Sequence, residues 1–155
     1  LNKFIEIFLL SLVPTFEGRY AIVYGIGRGY PLSGTLIMAS FGVLLLSLTL
    51  PILLPLIDLV MLKLENTSLG KFAELYLKYV ERARKKAHPY VEKWGFLGLI
   101  IFVAIPLPGT GVWTGSLAAY IFGMEKKRTM GALLFGGLFS ILITLLPSLG
   151  IVRIF

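Results

Sequence analysis

Long apolar runs separated by short polar connections dominate the chain. Residues 4–27, 32–62, 96–124 and 129–152 consist mainly of Leu, Ile, Val, Phe, Ala and Gly. The apolar residues come in runs rather than in the alternation of a half-buried strand, and runs of this length predict helices with lipid as their solvent. The stretch 63–94 is different. Phe72, Leu75, Tyr76, Tyr79, Val80, Ala83 and Ala87 recur at i, i+3, i+4 and i+7, with Lys71, Glu74, Lys78, Glu81, Arg82 and Lys85 on the other face. That spacing predicts an amphipathic helix, ended or kinked at Pro89. Its tyrosines and basic residues suit a membrane interface or a partner subunit. The expected class is an all-α integral membrane protein with one transmembrane domain over residues 1–155.

In three of the segments helix-breaking residues fall well inside the run. As a helix, 32–62 would extend about 46 Å, against a hydrocarbon core of about 30 Å. Pro51 and Pro55 offer a break, so 32–50 reads as a crossing and 51–62 as a kinked continuation. Asp58, in that continuation, reads first as an interfacial carboxylate. Segment 4–27 carries Pro14, Glu17, Gly18 and Arg19 near its centre. A charge at that depth costs about 2.5–3.5 kcal/mol. Glu17 and Arg19 could offset one another by pairing, but i and i+2 do not face each other on a continuous helix, so the pair predicts local unwinding. In segment 96–124, Pro106-Leu107-Pro108-Gly109-Thr110-Gly111 cannot continue a helix. Its flanks, 96–105 and 112–124, would be about 15 and 20 Å long, half a bilayer each. Irregular backbone at such depth is tolerated only inside protein or beside a wet cavity.

Charge helps decide the topology. The net charge of +7 comes mostly from basic residues within 63–93 and from Lys126, Lys127 and Arg128. Flanked by apolar segments, such clusters mark the cytoplasmic side rather than a nucleic-acid surface. If both broken segments are re-entrant hairpins, 63–94 and 125–128 share that side, and only Lys3, Arg28 and Arg153 lie on the other. If both cross, the bias weakens. Hairpins are therefore expected. A hairpin plus one crossing is an odd number of passes, so repeat one (about 4–62) and repeat two (about 96–152) would form an inverted repeat, with a site at the midplane between the breaks. No cleavable signal peptide is expected, because Pro14, Glu17 and Arg19 follow the apolar stretch 4–13.

The two breaks also carry a resemblance. PTFEGRYAI at 14–22 and IPLPGTGVWTGSLAAYIFG at 105–123 resemble the two motifs of the putative small multi-drug export protein family, and the resemblance covers nearly the whole chain. Val23 stands where bacterial members often have proline, and Val43 where they often have asparagine. The family has been linked by predicted fold to the DedA and VTT membrane proteins, which share paired re-entrant loops. The resemblance therefore implies such loops and a function in moving drug-like compounds or polyprenyl phosphates, with proton coupling or passive lipid scrambling among the modes.

The residues themselves leave several readings open. Glu17 could be a structural partner of Arg19 or a proton carrier. Arg19 could hold an anionic headgroup, since guanidinium grips phosphate in a bidentate way. Helices starting near Tyr20 and Val112 would offer free N–H groups to the same anion. The expected site is thus Glu17, Arg19, Pro106, Pro108, Gly109, Thr110, Gly111, Trp113 and Thr114. An intramembrane enzyme is poorly supported: there is no cysteine, the single His88 lies in the polar connection, and no cluster has metal-ligand spacing. No metal or cofactor is expected. A small four-helix drug pump would not need PLPGTG, and a scaffold without transport is the remaining alternative. The expected partners are a lipid or small amphipathic substrate, protons, and a second copy of the chain joined through Gly131, Gly136 and Gly137.

Overall fold

The computed structural model describes the backbone of residues 2–154 and the side chains of residues 2–150. Arg153, expected on the sparsely charged side, lies outside the side chains described. Among the described residues there are six α-helices and no strand: α1 (Lys3–Leu12), α2 (Glu17–Gly27), α3 (Leu32–Leu64), α4 (Gly70–Ala104), α5 (Val112–Ile121) and α6 (Lys126–Ile154). Two of them, α3 and α6, are long and apolar enough to cross a membrane.

Segment 4–27 is broken between Leu12 and Glu17, as its composition predicts, and the chain turns back there. Asn2 caps α1 through its side chain. Glu6, one turn into α1, accepts hydrogen bonds from Tyr24 Oη (2.5 Å) and Tyr30 Oη (2.8 Å), which lie beyond the other end of the turn. Segment 96–124 reverses in the same manner at 105–111. Phe96, before the turn, lies under the Arg128 guanidinium, after α5, at 5.8 Å.

Two expected breaks are placed differently. The helix α3 runs as one element through Pro51 and Pro55. The helix α4 continues through Pro89 and instead bends at Gly95, whose φ of 55° and ψ of −121° are not helical. Glycine alone adopts that conformation readily. Proline removes one donor and crowds one turn; a left-handed residue redirects the whole chain. The bend is sharp enough that a Cβ on Gly98 would overlap the Tyr90 carbonyl.

The first part of α4 is amphipathic, but its buried line is Ala73, Ala83, Ala87 and Val91, while Phe72 and Leu75 are 60% and 64% exposed. On its outer face Arg84 grips Glu81 at 2.6 and 3.0 Å and holds that carboxyl below its usual range.

The core joins Ile7, Ile22, Val43, Leu50, Leu99, Phe102, Leu133 and Ile141. Helix α6 contacts α2, α3, α4 and α5. Gly136 and Gly137 make that approach possible, since a Cβ on either would run into Val103 or Val43. They lie inside the bundle and are not available to a second copy, which corrects their expected role; of the three, only Gly131 has room for a Cβ, which would touch Phe96. The outside of the bundle is apolar as well: Ile37, Phe41, Leu48, Ile52, Phe135, Phe139, Leu142 and Leu146 are all exposed. A water-facing protein rarely shows contiguous apolar surface of this kind. Core and exterior alike fit a membrane protein.

Candidate functional site

The two turns meet. From the first come two buried charges, Glu17 at 3% and Arg19 at 1% exposure. From the second come backbone groups. Glu17 Oε2 accepts the Val112 N–H at 3.0 Å and Oε1 accepts the Trp113 N–H at 3.0 Å. These are the first two donors of α5, which no turn of that helix can satisfy, and a carboxylate is well placed against a helix N-terminus. Arg19 Nη1 donates to the Ile105 carbonyl at 3.0 Å and to Thr110 Oγ1 at 2.9 Å, and Nη2 donates to the Thr110 carbonyl. Thr110 Oγ1 lies 2.6 and 2.7 Å from the Ile105 and Leu107 carbonyls. Trp113 Nε1 completes the clasp by donating to the Leu12 carbonyl at 3.1 Å, at the end of α1.

This arrangement corrects two expectations. Glu17 and Arg19 are both buried at the clasp, yet they form no ion pair within 4.0 Å. Each instead holds part of the opposite turn. The N–H groups of Val112 and Trp113 are already bound to Glu17, so they are not free for an outside anion. The second helix begins at Glu17, close to its expected start near Tyr20.

Gly111 sits where the two charges converge. Its φ is 115°, and a Cβ there would fall among Glu17 Oε2 and the Arg19 guanidinium. Gly109, at φ 80°, and Pro108 lie at the apex, where Lys86 of α4 donates to the Pro108 carbonyl at 3.0 Å. Pro106 is half-buried between Ile105 and the exposed Leu107. Thr114 is buried and hydrogen-bonds Tyr79 of α4 at 2.8 Å. Sequence reasoning missed Lys86, Tyr79 and the backbone groups of Leu12 and Ile105. Basic and aromatic residues on an amphipathic helix give no sign of which turn they touch.

A cavity of about 360 Å³ adjoins the clasp. Pro14 and Thr15 come from the first turn, Leu54 and Ile57 from α3, Tyr76 and Tyr79 from α4, and Trp113 and Leu117 from α5. Trp113 thus both lines the cavity and ties the turns together. The variable position Val43 is buried with its methyls against Gly18 and Gly137, so it brings no polar group to the site, and Val23 is exposed. No group of three or more His, Cys, Asp or Glu is arranged to hold a metal among the described residues.

A family model described as Putative small multi-drug export protein matches residues 17–143. No curated protein and no solved structure gives a significant match.

Proposed function

The chain belongs to the putative small multi-drug export protein family, and on that premise we propose that it is a multi-pass membrane transporter moving a small amphipathic substrate across the bilayer. The observation that carries this reading is the clasp beside the cavity. A molecule lodged against Pro14, Thr15 and Trp113 touches both broken segments at once, so binding and the closure of the turns are coupled. Apolar walls with a few polar groups are what such a ligand needs.

Glu17 is the coupling residue in this reading. Its charge complements the N-terminus of α5 through two N–H bonds. Protonation removes that charge and one acceptor position, loosens the turns, and lets the cavity change the side to which it opens. Arg19 stays with the carbonyls of Ile105 and Thr110. A phosphate headgroup would have to displace those carbonyls, which speaks against an anionic lipid as cargo. The process is transport with no catalytic step.

The same proposal has both hairpins dipping into the bilayer and returning, the two halves related as an inverted repeat, and residues 63–94 and 125–128 on the cytoplasmic side of the cell membrane. Kinship with the DedA and VTT proteins and a homodimeric assembly belong to it as well. The reversal of the chain at each turn and the excess of basic residues on the two connections support this topology. Single cysteines introduced into this cysteine-free chain test it. Positions 80 and 126 are expected to label from one side, and position 29 from the other; opposite labelling of 80 and 126 would remove the second re-entrant hairpin.

Flux in proteoliposomes with an imposed pH gradient, normalised to folded protein, tests the coupling. Glu17→Gln is expected to lose gradient-driven uphill movement while still letting substrate equilibrate. Uphill flux at the wild-type level in this variant would end the role of Glu17 as proton carrier.

A further inference from the structure

Resting on the reading of the cavity beside the clasp as a substrate site, we propose that this cavity selects lipophilic organic cations and that Asp58 is the carboxylate that recognises their charge.

Asp58 lies on α3, next to the cavity-lining Ile57. Its Oδ1 accepts the Tyr76 hydroxyl at 2.9 Å and its Oδ2 accepts the Tyr120 hydroxyl at 3.1 Å. Tyr76 is itself a wall of the cavity. Among the described residues no lysine, arginine or histidine lies within 4.0 Å of either oxygen. A half-buried carboxylate in an apolar setting without a cation of its own is an incomplete pair. Polar hydroxyls orient it and leave its charge in place.

The walls point the same way. Tyr76, Tyr79 and Trp113 present aromatic rings, and no basic residue lines the space. A cation against aromatic faces is attracted by their quadrupoles, most strongly where water is excluded. The positive side chains are kept elsewhere: Arg19 is engaged by carbonyls, Lys86 reaches Pro108, and Lys78 and Arg84 pair with glutamates on the outer face of α4. Glu17 is buried, holds the Val112 and Trp113 N–H groups, and is not part of the lining. An anionic amphiphile would find no basic residue in the lining, and the Asp58 carboxylate behind the Tyr76 hydroxyl.

Two probes of similar shape and opposite charge test the selection. The full chain carrying Trp94→Phe, so that Trp113 is the sole tryptophan, is titrated in nanodiscs with tetraphenylphosphonium, tetraphenylborate and a neutral lipophilic dye, against empty nanodiscs. Tetraphenylphosphonium is expected to quench Trp113 saturably, with affinity about tenfold or more above tetraphenylborate. Asp58→Asn keeps one of the two acceptor oxygens, removes the charge and is expected to abolish that preference. Tyr120→Phe keeps the charge and removes one hydroxyl, and is expected to hold affinity within about threefold of wild type. A Tyr120→Phe variant as weak as Asp58→Asn would make Asp58 a structural latch and overturn the proposal. Equal binding of the borate or the neutral dye by the unsubstituted site would overturn cation selection while leaving transport of amphiphiles standing. No saturable quenching by any probe would overturn both the selection and the cavity as substrate site.

Discussion

The two turns at the centre of the molecule solve one problem by opposite means. The first is short, between Leu12 and Glu17, and contains no glycine; Thr15 and Glu17 take left-handed φ values of 72° and 54°. The second runs over 105–111, with glycines at its left-handed positions, 109 and 111. The first contributes side-chain charges, and the second contributes bare carbonyls and N–H groups. A buried charge needs partners, and so do the open ends of a helix. Here each deficit meets the other. Glu17 covers the start of α5, Arg19 covers the carbonyls leading into the turn, and the two charges need not pair with each other. An acidic and a basic residue close in sequence inside an apolar segment can thus serve different ends of a distant helix break.

The largest expected effect comes from removing the cation. Arg19→Met fills similar space but leaves the Thr110 carbonyl without its donor in the interior, while the Ile105 carbonyl keeps the Leu107 N–H and the Thr110 hydroxyl. We expect a loss of about 3–5 kcal/mol, in the range for breaking a buried charged contact, read by thermal unfolding in detergent. A variant as stable as wild type would mean that the second turn holds its carbonyls without the first.

A methyl group placed between the two turns tests the convergence of their charges directly. Gly111→Ala must adopt a backbone conformation reserved for glycine and must push Glu17 and Arg19 apart, for an expected loss of about 3 kcal/mol. Gly123→Ala is the control: its φ is 70°, but nothing lies within 4 Å of the added atom, so only the left-handed cost of about 1–2 kcal/mol applies. Equal losses in the two variants would show that backbone conformation alone, and not the convergence of charges, makes glycine necessary at 111.

The smallest effect has the opposite sign. A β-branched Thr15 in a left-handed conformation is strained, and Thr15→Gly relieves that strain at some cost in unfolded-chain entropy. A net gain of about 0.5–1 kcal/mol is expected. Because Thr15 also lines the cavity, comparing substrate flux in this variant with its melting temperature tells whether the first turn is strained for the sake of the site. Unchanged or reduced stability would remove the strain from the contrast.

Much of the architecture was legible without a structure because it rests on local properties. Lipid-length apolar runs, the amphipathic spacing within 63–94 and the helix-breaking content of Pro14 and of 106–111 depend on neighbours a few residues apart. The sites of breakage followed as far as donors and backbone freedom decide them. Proline was an uncertain guide: α3 runs through Pro51 and Pro55 and α4 through Pro89, while Gly95 makes the bend. A missing hydrogen bond can be tolerated in a well-packed helix, whereas a left-handed residue cannot leave the chain straight. The partners of the charges were beyond reach. Arg19 finds Ile105 86 residues away and Glu17 finds Trp113 96 residues away, and no periodicity links positions so distant. The same limit hid Gly136 and Gly137 inside the bundle and Asp58 between Tyr76 and Tyr120. Which charges the apolar interior of the protein must accommodate was therefore a property of the sequence alone. What accommodates it was decided by the tertiary fold, because open helix ends are equivalent in composition and differ only in where they are brought.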